Sequence, residues 1–226
     1  GLMNGHSTTR QQDRQAQAAR ALWLATNELS ESLTTLTGLP RNKAQHRLMR
    51  WLRHLALAVP MGHADVTALL ALLPTRLVLW FVLHHGDGHY LPWVVQRMAD
   101  PEVSRLAGWV WHVLTGVDLH SHGLALPPRA LNQVPRGTDT RDPGLPEPDA
   151  RAVQRLELVL PPHVVTLYGQ AVSSAVLTDS LWHAPQAIRW MAAKRLARQG
   201  GLRIHIRAHA RLQQAELPPL PQARAA

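Results

Sequence analysis

Residues 75–85, TRLVLWFVLHH, are apolar around nearly the whole circumference of the helix they predict. A helix with no wet stripe must be enclosed by other elements, so the chain has to build layers around this segment. Pro74 precedes it and Gly86-Asp87-Gly88 follows it, and both are strong punctuation. Its neighbours are amphipathic. In 41–59, Leu48, Leu52, Leu55 and Val59 fall on one helical face. Lys43, Arg47, Arg50 and His54 fall on another, with Arg41 and Arg53 beside them. Further helices are predicted at 10–36, 63–73, 89–99 and 100–116. Pro92 is tolerated in the first turn of its helix, while Asp100 and Pro101 open the next and Gly116 closes it.

The expected fold class is therefore all-α, built from stacked antiparallel helix hairpins and interrupted by a Pro/Gly-rich loop. The spacing divides the chain into an N-terminal helical pair (1–59), a repeat core (60–117), a loop or linker (118–150), a C-terminal helical unit (151–215) and a disordered tail (216–226). Within the C-terminal unit, residues 185–199 predict a helix. Residues 202–207 alternate apolar and basic side chains at strand period.

Hydrophobic residues make up 46% of the 226, enough for a sizeable core. The chain has no cysteine, which removes disulfides, thiol catalysis and cysteine-bound metal. Its opening residues are polar and it has no apolar run long enough for a membrane span, so a cytoplasmic location and no membrane are expected. The net charge of +9 points to acidic partners. It gathers in two places, the 41–54 stripe and a second cluster of Arg189, Lys194, Arg195, Arg198, Arg203 and Arg207.

The stretch ADPEVSRLAGW at 99–109 resembles the signature of HEAT-type repeats, in which Asp-Pro opens the first helix of a unit. With GLPEPDA at 144–150 and the C-terminal residues 177–214, it is similar to a bacterial HEAT-like family. Genes of that family lie beside those for type VI secretion effectors and adaptors. The resemblance covers roughly residues 60–215. It implies a helical solenoid that binds proteins, as an immunity protein or loading chaperone for a secreted effector, and brings no catalytic motif with it. The 118–150 segment is less acidic here than that family's pattern.

Several clusters could carry chemistry. His84, His85, Asp87 and His89 are all metal-ligating residue types, but adjacent histidines diverge by about 100° on a helix, and a turn explains the motif without metal. Gly86 and Gly88 permit the turn, Asp87 caps the next helix, and His84 and His85 suit the negative end of the preceding one. His120/His122 and His205/His209 are weaker pairs. Ser173-Ser174 and Thr178-Asp179-Ser180 lack an adjacent base in sequence, and no phosphate-loop, dinucleotide or nucleophile-elbow motif occurs.

Expected, then, is a binding protein rather than an enzyme, with no cofactor and no metal. Its first partner is a protein, and nucleic acid is the second choice. A repair-type enzyme would have to use Asp65, Asp87 or Asp118, each of which has a capping or turn role. Candidate contact residues are Lys43, Arg47, Arg50 and His54 on the basic stripe, and His84, His85 and His89 on a ridge of turns that also carries His120 and His122. Trp109 and Trp111 complete the set, and being two residues apart they cannot share a helix face. A histidine-rich ridge would bind an acidic partner more tightly as pH falls.

Overall fold

A computed structural model describes residues 41–127, 142 and 144–199. The helix predicted at 10–36, the alternating segment at 202–207, His205/His209 and the tail lie outside the described residues.

The apolar segment forms a helix over its full predicted length. We label the helices α1 (Arg41–Ala58), α2 (Asp65–Leu72), α3 (Thr75–His85), α4 (Leu91–Arg97), α5 (Ser104–Thr115), α6 (Ala150–Arg155), α7 (Ser174–His183) and α8 (Gln186–Arg198). A single 3₁₀ turn, Gly88–Tyr90, leads into α4, and a two-stranded antiparallel hairpin pairs β1 (Thr166–Leu167) with β2 (Gln170–Ala171). The described chain is thus mostly helical, as an all-α fold requires. The hairpin is an addition that the sequence pattern did not predict.

α3 is the central element. Leu77, Val78, Leu79, Phe81, Val82 and Leu83 are all buried, and the helix packs between α1 and α5. α4 packs on α5, and α7 pairs with α8. The main core runs from Leu52 to Met191 and draws in Val153, Leu167 and Ile188. The residues after the Pro-rich segment therefore share the core of α1–α5. Leu177, Leu181, Ala193 and Leu196 close a smaller cluster between α7 and α8.

The helices predicted at 63–73, 89–99 and 100–116 are all shorter than expected. α5 starts at Ser104, because Asp100 spends its side chain on an Asx turn, accepting from the Glu102 N–H at 3.0 Å. The 118–150 segment is only partly an open loop. Leu119 and Leu124 enter the core, and the segment's two ends meet where Leu126 N–H donates to Glu147 O and Asp149 N–H to Leu124 O.

The last turns of α1, α3 and α5 all meet residues 165–198. A helix leaves four carbonyls unsatisfied at its C-terminus, and each of these helices finds donors in the same late part of the chain. Arg198 donates to Leu57 O of α1. Arg195 donates to His84 O at 2.7 Å and His85 O at 2.9 Å, at the end of α3. The hairpin tip donates from Tyr168 N–H to Val113 O and from Gly169 N–H to Leu114 O, at the end of α5. That tip has positive φ at both Tyr168 (50°) and Gly169 (75°), the backbone of a two-residue hairpin turn.

Candidate anion-binding face

The His-rich turn is a buried joint. Gly86 adopts φ 74° and ends α3, a conformation that only glycine takes without strain. Asp87 then turns inward and is completely buried. Its Oδ1 accepts from the N–H of His89 at 2.9 Å, which starts the 3₁₀ turn, and from the N–H of His163 at 2.8 Å. Its Oδ2 lies 3.4 Å from His163 Nδ1. These donors hold the carboxyl below its usual range in spite of burial, which pushes the other way. Gly88 has a second reason to be glycine, since a Cβ there would lie 2.6 Å from Leu160 Cβ. The motif therefore anchors the 160–166 segment against α3.

His84 and His85 are correspondingly corrected. They are not on a surface ridge: both rings are buried, at 1% and 0% exposure. His84 Nδ1 bonds Trp80 O at 2.8 Å and His85 Nδ1 bonds Ala56 O at 3.0 Å, which leaves Nε2 of each without a partner. Desolvation drives the His84 pKa down to about 3 and lowers that of His85. Both are neutral core groups, so the expected ridge of five charged-by-acid histidines fails. His89, His120 and His122 do reach solvent, and His89 stacks on His163 at 5.7 Å.

Trp111 is likewise buried, at 1% exposure, and is core. Trp109 is half-buried. It meets Trp80 edge to face at 5.5 Å and lines a cleft of about 740 Å³ with His112, Tyr168, Asp179 and His183. His183 Nε2 lies 3.7 Å from Asp179, on an exposed face of α7. Ser180 also lines the cleft, but its hydroxyl donates to Val176 O at 2.7 Å rather than to a base.

The two basic clusters, far apart in sequence, meet in space. Arg50, Arg53 and His54 recur at helical spacing on α1 and face Trp190 and Lys194 of α8, four residues apart. With Met49 they line a cavity of about 490 Å³. Trp190 is the shared platform. The Arg53 guanidinium carbon lies 5.9 Å from its ring and 5.1 Å from that of Trp80, so Arg53 contacts both indoles. Lys194 Nζ lies 5.9 Å from the Trp190 ring, and the His54 ring meets it edge to face at 5.3 Å. Lys43 and Arg47 belong to the same helix and are described only as its backbone.

No carboxylate pairs with Arg50, Arg53 or Lys194 among the described residues. Burial lowers the Arg53 pKa, and Arg53 Nε is shielded from solvent without a hydrogen-bond partner. Desolvation and then the charges of Lys194, Arg198 and Arg50 lower the pKa of His54. A positive field that no described carboxylate answers favours an anion.

The rest of the second cluster has structural work. Arg189 is buried and donates to Leu181 O, and Arg195 and Arg198 bond the helix ends described above. Arg203 and Arg207 lie outside the described residues. Trp190 was the residue that reading by charge missed. Its signal was the Trp190/Lys194 spacing on one helix face. Trp51, half exposed on α1, was missed as well.

Among the described residues, no three His, Cys, Asp or Glu side chains are placed to hold a metal ion, and no helix is long and apolar enough to cross a membrane. The geometry is that of a cationic, aromatic-lined recess. Comparison with protein-family models, with curated proteins and with solved structures finds no match to the chain.

Proposed function

We propose that this chain is a non-catalytic binding protein that engages an acidic partner protein through the face formed by α1 and α8. One observation carries the reading: Arg50, Arg53, His54 and Lys194 converge around Trp190 with no carboxylate among them. Arginine and tryptophan held in a recess are the residue types that dominate binding energy at protein interfaces. Stacked hairpins of HEAT type, with α1–α5 as the stack, fit the central position of α3 between α1 and α5. The resemblance of residues 99–109 and 144–150 to the type VI secretion-linked family supplies the partner class, a secreted effector met in the cytoplasm, with the chain acting as immunity protein or loading chaperone.

Co-expression with the products of the adjacent genes, followed by pull-down through this chain, tests the proposal. Capture of a neighbouring effector, abolished by Arg53→Gln together with Lys194→Gln, is the expected result. Failure of every neighbouring product to co-purify overturns the effector reading.

The approach of Lys194 to the basic stripe of α1 also favours a second reading, nucleic-acid binding. Phosphate contacts would make affinity for duplex DNA fall steeply with salt. A titration at two salt concentrations separates the readings, since a flat or absent response removes nucleic acid.

A further inference from the structure

The cavity between α1 and α8 has features that a general basic patch lacks. Two of its cations, Arg53 and Lys194, are held in place before any ligand arrives. The Arg53 guanidinium lies within 5.1 Å of the Trp80 ring and 5.9 Å of the Trp190 ring, and Lys194 lies within 5.9 Å of the same Trp190 ring. A cation over an aromatic face is attracted by the ring quadrupole and keeps its N–H groups for other acceptors. Here one such donor, Arg53 Nε, is buried and has no acceptor. The same contacts make the recess a poor stacking site for a base, because the cations already occupy the neighbourhood of the indole. What remains free is a set of donors converging on a space of about 490 Å³.

We propose that this recess is an oxyanion subsite, built to take a carboxylate of an acidic partner between Arg50, Arg53 and Lys194, and that occupancy is coupled to proton uptake on His54. It deepens the reading of this face as the contact surface by naming the group that enters it.

The coupling follows from what surrounds His54. From its own helix it faces Arg50 and Arg53. From α8 it faces Lys194, Arg198 and the Trp190 ring, and His84 of α3 meets the same indole at 5.7 Å. None of these is acidic. Cations therefore disfavour the imidazolium while the recess is empty, in addition to the effect of burial. An oxyanion among them reverses the local field, so His54 binds a proton more readily when the site is full. His84 cannot take that proton, because burial keeps it neutral down to about pH 3. Between the free and bound pKa values of His54, affinity rises as pH falls. Above the bound value it is independent of pH.

Sulfate is the probe, because its charge is constant between about pH 5 and pH 8, where histidine titrates. Isothermal titration of the full chain should show saturable one-to-one binding that tightens with acidity. The His54 Cε1–H resonance should titrate at higher pH in saturating sulfate. Each unit of that rise corresponds to about a tenfold gain in affinity at pH below both values. His54→Gln should bind sulfate with a flat pH profile. Lys194→Gln, on a half-buried side chain that bonds nothing in the core, should weaken binding several-fold without unfolding the protein. Non-saturable binding, or affinity unchanged from the unsubstituted chain in both Lys194→Gln and Arg53→Gln, would mean simple screening and overturns the subsite. Saturable binding with no movement of the His54 resonance overturns the coupling.

Displacement of sulfate by tetraglutamate at lower concentration than by a tetranucleotide supports a carboxylate-bearing partner, and the reverse order overturns that assignment. The outcome is separable from that of the effector experiment. Coupled sulfate binding without effector capture leaves the subsite and removes the partner, and capture by a chain that binds no sulfate does the opposite.

Discussion

At the C-terminal end of α3 and in the recess between α1 and α8, charged side chains have opposite surroundings. Asp87 is fully buried, and all its bonds are made by backbone and His163. Arg50, Arg53 and Lys194 carry charges that no described carboxylate answers. His84 joins the two regions, being core by burial yet in ring contact with Trp190 at 5.7 Å. The difference separates two uses of polar side chains. A buried group with every bond satisfied fixes chain geometry, whereas a held but unanswered group waits for something from outside.

The sharpest way to break the contrast is at Asp87. Asp87→Ala leaves the N–H groups of His89 and His163 without their acceptor, at a cost of about 2–5 kcal/mol. Urea unfolding measures it. Asp87→Asn keeps an acceptor oxygen and should lose distinctly less. Equal losses for the two would show that the carboxylate's charge, rather than its bonds, holds the turn.

Acid gives the next largest effect. His84 has a folded pKa of about 3 against 6.5 in the open chain, so the unfolded state binds the extra proton. Its contribution to stability is complete above pH 6.5 and is lost progressively as pH falls toward 3. At about pH 5 the loss is about 2 kcal/mol. His84→Met should flatten that part of the profile in pH-dependent unfolding. Asp87, whose pKa is also lowered, keeps its contribution above its usual value of 3.8 and loses it at lower pH, so only the His84 effect operates between pH 6.5 and 3.8.

Arg195→Met comes third. It removes both bonds to the last carbonyls of α3 and should destabilise by about 1–3 kcal/mol. Hydrogen exchange should quicken in α8 and in the last turn of α3, ahead of the rest of the core. Smallest is Arg50→Gln on the exposed rim. It should change stability by less than about 0.5 kcal/mol while weakening capture of an acidic partner. A stability loss as large as that of Arg195→Met would place Arg50 with the structural arginines instead.

How much of this was readable in the sequence depends on range. The bounds of α3 were legible because Pro74 and Gly86 punctuate an apolar run, and those of α1 because its leucines keep helical period. The roles of Gly86 and Asp87 were legible too, since C-caps and Asx caps are local devices. The burial of His84 and His85 was not. It arises from helices 29 or more residues away, as in the bond from His85 to Ala56 O. The partner of Asp87 is 76 residues distant, and nothing near His163 announces it. The hairpin was missed because its turn is Tyr168-Gly169 rather than an Asn-Gly or Asp-Gly pair. Both basic clusters were visible as composition, but their meeting is tertiary. So is the division of labour by which Lys194 faces the recess while Arg189, Arg195 and Arg198 serve the frame.

The capping of α1, α3 and α5 by residues 166–198 also sets the order in which the molecule can be completed. The bonds from Arg195 to α3 span 111 and 110 residues, and that from Arg198 to α1 spans 141. A ribosome delivers the helices first and their caps last. Until α8 has emerged, the helix ends must be kept by water, and the nascent chain holds a partly formed core with open ends. Long sequence separations of this kind slow folding relative to a stack whose units meet only their neighbours. A chain stopped before the hairpin would retain its apolar centre and lack its closure, which is the state in which partly folded proteins associate with one another.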